Sequence, residues 1–189
     1  MKKISIVVPC YNEENNISNF YKEMIETLNK VKENYSYEII FVNDGSNDKT
    51  EIEIKKIRKL DENVILISFS RNFGKEAAIY AGLNSATGDL VALIDADLQH
   101  PPRTILEMLD GINEGYDVVA TKRKNRKGEP VVKSLFSKLF YRMMRMFIPI
   151  EKNVQDFRLM KREVVDAILS LKEYNRFSKG IFTWVGFNI

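Results

Sequence analysis

Leu90-Val91-Ala92-Leu93-Ile94-Asp95-Ala96-Asp97-Leu98-Gln99 is the stretch from which the fold can be read. Five consecutive apolar residues leave no side for water, so the run reads as a strand covered on both faces, the pattern of parallel sheets in α/β proteins. It stops at two carboxylates two residues apart. In extended backbone, positions i and i+2 share a face, so Asp95 and Asp97 would stand side by side and repel unless a cation lies between them. Oxygen ligands suit a hard ion such as Mg²⁺ or Mn²⁺, which also bridges phosphates. The natural substrate of such a pair is a nucleotide diphosphate. The same residues can also be read as caps of the helix that Pro101 and Pro102 introduce.

Working outward, apolar runs alternate with helical patterns. Residues 4–8, 37–43, 64–69, 90–94 and 116–121 read as strands. Helices are expected over 14–31, with Ile17, Phe20, Met24 and Leu28 on one face, then from about 47–50 to 59, over 75–86, and from Pro102 to about 113. This alternation predicts a doubly wound α/β core of mostly parallel strands flanked by helices, occupying about residues 1–121. In such sheets ligands bind beyond the carboxyl ends of the strands. Those ends read Pro9-Cys10-Tyr11-Asn12-Glu13-Glu14, Asn43-Asp44-Gly45-Ser46, Ser70-Arg71-Asn72-Phe73-Gly74-Lys75 and Asp95-Ala96-Asp97. Each has a plain explanation as a turn or a charged first helical turn, yet all four fall on one edge. There Tyr11 offers a stacking face, Asp44 an acceptor for a base or ribose, and Gly74-Lys75 an anion-friendly helix start.

Composition narrows the chemistry. The 189 residues, 44% of them hydrophobic, suffice for one well-cored domain. A single cysteine, Cys10, and a single histidine, His100, make serine-triad, papain-like and zinc chemistry untenable expectations. No Gly-x-Gly-x-x-Gly follows the first strand and no Gly-Lys-Ser/Thr loop is present, which disfavours dinucleotide binding and P-loop hydrolysis. The strand-like start interrupted by Pro9 does not resemble a signal peptide, and no run of 18 apolar residues occurs, so a cytoplasmic protein is expected.

Charge is unevenly placed. Between Lys122 and Arg145 nine basic residues face Glu129 alone, a local charge of +8 in a chain whose net charge is +3, which leaves −5 elsewhere. Such asymmetry points to an anionic partner. Residues 131–148 carry Val131, Leu135, Phe136, Leu139, Phe140, Met143 and Phe147 at helical spacing, with Lys133, Lys138, Arg142 and Arg145 among them. A basic amphipathic helix of this kind lies in a membrane interface or packs on the sheet with a solvated basic face. No nucleic-acid reader motif accompanies the charge, so nucleic acid is not an expected partner.

The four strand-end motifs, in this order, closely resemble family 2 glycosyltransferases of the GT-A fold. Gln155-Asp156-Phe157-Arg158-Leu159-Met160, Arg176-Phe177-Ser178-Lys179-Gly180 and Trp184-Val185-Gly186 extend the likeness to the polyprenyl-phosphate glycosyltransferases, the group of dolichol-phosphate mannose synthase and bactoprenol glucosyltransferase. The resemblance implies a Rossmann-like nucleotide-sugar-binding core and inverting transfer of a sugar from UDP- or GDP-sugar, UDP-glucose favoured, to a membrane-bound polyprenyl phosphate. It assigns Pro9, Tyr11, Glu13, Asp44 and Asp95 to the nucleotide. It gives Asp95, Asp97 and Gln99 to Mg²⁺ or Mn²⁺, Asp156 to catalysis at the acceptor, and Arg123 with Lys133 to the acceptor phosphate. A phosphate monoester is already ionised near neutrality, its second pKa being about 6, so Asp156 is expected to orient the acceptor more than to deprotonate it; a salt bridge to Arg158 or Arg162 is the structural alternative.

The resemblance also implies one catalytic domain, 1–121 on the donor side and 122–189 on the acceptor side, acting at the cytoplasmic face of the membrane for cell-envelope glycan synthesis. Relatives of this kind usually continue past the Trp-x-Gly segment into transmembrane helices, so this chain is expected to be cut before its membrane part, through which any homo-oligomer would form; a naturally short soluble homologue is the alternative. A GDP-mannose-dependent mannose synthase and a non-catalytic nucleotide-sugar-binding module are the alternatives.

Overall fold

The computed structural model describes residues 1–122, 154–171 and 178–189. In chain order the elements are β1 (Lys2–Cys10), α1 (Ile17–Leu28), β2 (Tyr35–Asn43), α2 (Thr50–Arg58), β3 (Val64–Ser68) and α3 (Lys75–Ser85). They continue with β4 (Leu90–Leu93), α4 (Thr104–Asn113), β5 (Val118–Lys122), β6 (Val154–Lys161), α5 (Arg162–Ser170) and α6 (Ser178–Trp184).

Six strands form one sheet in the order β3-β2-β1-β4-β6-β5. Pairings β1 with β2, β1 with β4 and β2 with β3 are parallel. β6 enters antiparallel between β4 and β5. The sheet is therefore mixed, and residues 154–161 are built into it between β4 and β5. β6 is the strand the apolar-run criterion misses, because Arg158 interrupts its pattern. Arg158 is nevertheless buried, with its guanidinium carbon 3.6 Å from the Phe182 ring centroid, a placement that satisfies a cation on an aromatic face.

Burial on both faces explains why the strands read as continuous apolar runs. On β1, Ile4, Ile6, Val8 and Cys10 face a cluster that includes Phe20 and Met24 of α1, Ile54 of α2, and Ile105 and Met108 of α4. Val7 points the other way, toward Ala78, Ile79 and Leu83 of α3 and Val164, Val165 and Ile168 of α5. The α1 face expected from helical spacing is the buried one: Ile17, Phe20, Met24 and Leu28. Phe20 meets Phe41 of β2 edge-to-face at 6.0 Å, an arrangement worth about 0.5–1.5 kcal/mol beyond area burial.

Two close approaches position the site. Gly82 lets α3 lie hard against β1, since a Cβ there would fall 2.3 Å from Val7 Cγ1. At Gly45 the backbone takes φ +65°, and a Cβ would fall 2.2 Å from the Arg71 carbonyl carbon, so only glycine fits this turn without strain. α1 starts at Ile17 rather than at 14, after a turn in which the Asn16 and Ile17 amides donate to the Glu13 carbonyl, while the amides of Glu13 and Glu14 donate to Thr50 Oγ1 and Asp48 Oδ2.

Candidate functional site

The loops at the carboxyl ends of β1, β2, β3 and β4 enclose a cleft of about 380 Å³. The first two loops are laced reciprocally. Asn12 N–H donates to Ser46 Oγ at 3.0 Å, Asn47 N–H to Asn12 Oδ1 at 2.9 Å, and Lys49 N–H to Glu14 Oε2 at 2.8 Å. Such closed exchange fixes two loops that would otherwise move independently. Pro9, Tyr11, Glu13, Asp44, Asp95 and Asp97 all line the cleft, together with Asn72, Gly74 and Lys75. Tyr11 is 44% exposed. Glu13 accepts Asn16 Nδ2 at 2.6 Å.

Asp44 behaves differently from the open acceptor that its sequence context implies. It is 3% exposed, and its two oxygens accept the backbone N–H groups of Phe73 at 2.7 Å and Gly74 at 2.9 Å. Its carboxylate thus holds the loop that launches α3, and a base or ribose would share these oxygens with two amides. The same loop stacks Arg71 on the exposed Phe73 ring at 4.7 Å.

The Asp-x-Asp pair is not on a strand. β4 ends at Leu93, and Asp97 lies in a turn where its Oδ1 accepts Gln99 N–H at 3.0 Å and Leu98 takes φ +57°. The expectation of two carboxylates sharing a strand face is corrected accordingly: Asp95 and Asp97 meet in the cleft through a turn. Neither caps α4, which begins at Thr104 with no side-chain cap. Gln99 is exposed. Among the described residues no group of three or more His, Cys, Asp or Glu side chains is arranged around a common metal position. The donor set of two carboxylates and a neighbouring amide still fits Mg²⁺ or Mn²⁺, since such ions commonly take one or two carboxylates and complete their shell with phosphate and water. Asp95 already attracts a cation: the Lys75 ammonium lies 2.8 Å from each of its oxygens.

Lys75 also reaches Asp156 Oδ2 at 2.9 Å. β6 carries Asp156 to the edge of the site because it pairs with β4, Arg158 opposite Leu93. The partner seen on the Asp156 carboxylate is thus Lys75. Arg158 Nε donates to the Asp156 backbone carbonyl, and Arg162 pairs with Asp166 and the Gly88 carbonyl. Burial works against the Lys75 ammonium, but Asp95 and Asp156 outweigh it and hold its pKa above the ordinary lysine value. Burial pulls Arg158 down to about 10 against the opposing charges of Asp156 and Glu76. The Cys10 thiol, which donates to the Val8 carbonyl, is pushed up by burial and then by Glu13 and Asp95, which disfavours the thiolate that a nucleophile or metal ligand needs.

Lys75 was legible only as a charge at a helix start; its partners lie 20 and 81 residues away in sequence. Arg123, Lys133 and the basic amphipathic stretch 131–148 lie outside the described residues. Among the described residues no helix is long and apolar enough to cross a membrane.

Comparison with known proteins follows the same geometry. The sequence profile of Glycosyl transferase family 2 matches residues 5–169. The chain is 46% identical over 187 residues to an uncharacterised glycosyltransferase, sll0501, of Synechocystis sp., covering 98% of this chain and 58% of that protein. It is 46% identical over 186 residues to a bactoprenol glucosyl transferase of Shigella phage SfX, covering 97% of this chain and 60% of the other. The chain thus spans somewhat over half the length of these curated relatives. Among solved structures, the mannosyltransferase PcManGT of Pyrobaculum calidifontis, in complex with GDP-Man and Mn²⁺, superposes with a TM-score of 0.61 at 22% identity, covering 87% of this chain and 46% of that one. The mixed sheet, the cleft at its strand ends and the match over residues 5–169 lead to one assignment: the chain belongs to glycosyl transferase family 2.

Proposed function

We propose that this chain transfers a sugar from a nucleotide sugar, UDP-glucose in the first place, to a polyprenyl phosphate at the cytoplasmic face of a membrane. The observation that carries the reading is the convergence of Tyr11, Asp44, Asp95 and Asp97 on one cleft with Asp156 one lysine away. Near-half identity to a bactoprenol glucosyl transferase supports the acceptor class and the glucosyl group.

On this reading residues 1–121 serve the donor and 122–189 the acceptor. Tyr11 stacks on the base, and Pro9, Glu13 and Asp44 frame the nucleoside. Asp95 and Asp97, with Gln99, are the residues to hold Mg²⁺ or Mn²⁺, which when bound offsets the charge of the leaving diphosphate. Asp156 orients the acceptor phosphate behind the anomeric carbon, so that the existing phosphate anion attacks opposite the leaving group and configuration inverts. A lipid phosphate ionised near neutrality needs alignment more than a strong base. Arg123 and Lys133 neutralise that phosphate, and the basic stretch 131–148 draws the chain to an anionic leaflet, where each Lys or Arg contributes about 1 kcal/mol.

The test is a transfer assay with UDP-glucose and GDP-mannose against a short polyprenyl phosphate, with Mn²⁺, Mg²⁺ or chelator. Glucosyl transfer that needs a divalent ion supports the reading. Transfer from GDP-mannose alone replaces the donor, and nucleotide-sugar binding without transfer by any longer form of the protein makes the chain a binding module.

A further inference from the structure

In the free protein one of the two carboxylates offered to a divalent cation, Asp95, is already paired. The Lys75 ammonium sits 2.8 Å from both oxygens of Asp95 and 2.9 Å from Asp156 Oδ2. We infer that Lys75 is the resident counter-ion of the donor site, and that its exchange between Asp95 and a bound diphosphate makes cation binding and nucleotide binding interdependent. The inference rests on the donor-site reading above.

Three states follow from charge and reach. Without ligands, one ammonium offsets the mutual repulsion of two carboxylates brought together from the ends of β4 and β6. A bare divalent cation must evict the ammonium from Asp95 and then remain beside its like charge. A nucleoside diphosphate alone meets Asp95 and Asp97 as anion against anion while Lys75 is engaged. When both arrive, the cation takes Asp95 and Lys75 gains phosphate oxygens in place of the carboxylate it lost, so no charge is stranded.

The scaffold permits this exchange. Lys75 is the first residue of α3, and its side chain is 43% exposed, so its four methylenes have room to swing. The helix start itself is held: Asp44 fixes the Gly74 amide, and Gly82 seats the helix on Val7. Only the side chain has to move. By linkage, each ligand then raises the affinity of the other by one common factor.

The experiment is Mn²⁺ binding by calorimetry, with and without saturating UDP, in wild type and Lys75→Met at one pH. The ratio of the two affinities is the coupling factor. Lys75→Met is expected to bind Mn²⁺ alone at least about tenfold more tightly and to show a coupling factor at least about fivefold smaller than wild type. Tightening that is equal with and without UDP means that Lys75 acts only as a distant charge, and overturns the inference. Unchanged or weaker Mn²⁺ binding overturns it as well. If wild type binds neither Mn²⁺ nor UDP, the donor-site reading itself falls and this inference with it. Lys75→Gln, with the same expected result, replaces Lys75→Met if that variant does not fold; far-UV circular dichroism and the urea unfolding midpoint report the intact fold.

Discussion

The Asp44 carboxylate accepts the Gly74 backbone N–H at 2.9 Å across thirty residues of sequence. Its other oxygen takes the Phe73 N–H at 2.7 Å, so the tip of β2 holds the loop that starts α3. Asp44→Asn puts an amide N–H against one of these donors. The variant is expected to lose about 1–3 kcal/mol of stability, the range for an unsatisfied buried group, with no nucleotide present. Urea unfolding of the free protein checks this. Gly45→Ala is expected to be worse, because its Cβ has nowhere to go beside Arg71. Wild-type midpoints for both would mean that the loop is held by other contacts.

Asp97 is proposed to carry a cation, and Asp97→Asn removes half of the paired charge. UDP affinity in Mn²⁺ is expected to fall at least about tenfold, or about 1.4 kcal/mol. In chelator the variant should bind UDP at least as tightly as wild type, because Asp97 without a cation only repels the diphosphate. Calorimetry that finds equal wild-type affinity with Mn²⁺ and with chelator would reject the metal role.

Asp156 is proposed to align the acceptor. Asp156→Asn is expected to lower sugar transfer by about 10²-fold, the low end of the range for a positioned acid–base group, with UDP-sugar affinity nearly unchanged. Steady-state kinetics on acceptor and donor separate the two. Turnover close to wild type would reduce Asp156 to a structural partner of Lys75.

Glu38 offers a pH test at the opposite end of the sheet. Its side chain is 5% exposed and bonded to Lys3 Nζ, Ser5 Oγ, and both N–H and Oγ of Thr87. Burial alone would raise its pKa, but these donors outweigh burial and hold it below the ordinary glutamate value. A lowered folded pKa means that the stabilisation is complete above the unfolded glutamate pKa of about 4.3 and is lost as pH falls through the folded value. Glu38→Gln is therefore expected to be less stable than wild type by about 1–3 kcal/mol at pH 7. The gap should shrink below about pH 4. Denaturant unfolding at pH 7 and pH 3 measures it, and a gap that widens in acid would contradict the assignment.

Much of this protein was written locally. Apolar runs at residues 4–8, 37–43, 64–69 and 90–94 announced parallel strands because both faces of each pack against apolar side chains, those of the edge strand β3 only in part. The spacing of Ile17, Phe20, Met24 and Leu28 announced the face α1 buries. The motifs at the strand ends were legible for a related reason: once the strands are parallel and adjacent, their carboxyl ends must share an edge, and Tyr11, Asp44, Asp95 and Asp97 met in one cleft.

Position along the chain did not determine pairing. β6 stayed hidden because Arg158 breaks its apolar pattern, and tertiary contacts, among them the Phe182 ring, the Asp156 carbonyl and the charges of Asp156 and Glu76, make a buried guanidinium tolerable. Strand periodicity does not extend to Asp97, because β4 ends at Leu93 and the chain turns at Ala96-Asp97. The partners of Lys75, 20 and 81 residues away, and of Asp44, 29 and 30 residues away, arise from the sheet order β1-β4-β6 and from the seating of α3 on β1. Sequence determined which surfaces avoid water and which strand ends carry charge, because both depend on near neighbours. Tertiary structure decided which charge meets which, because an ion pair needs a few ångströms of separation that only the packed sheet and helix supply.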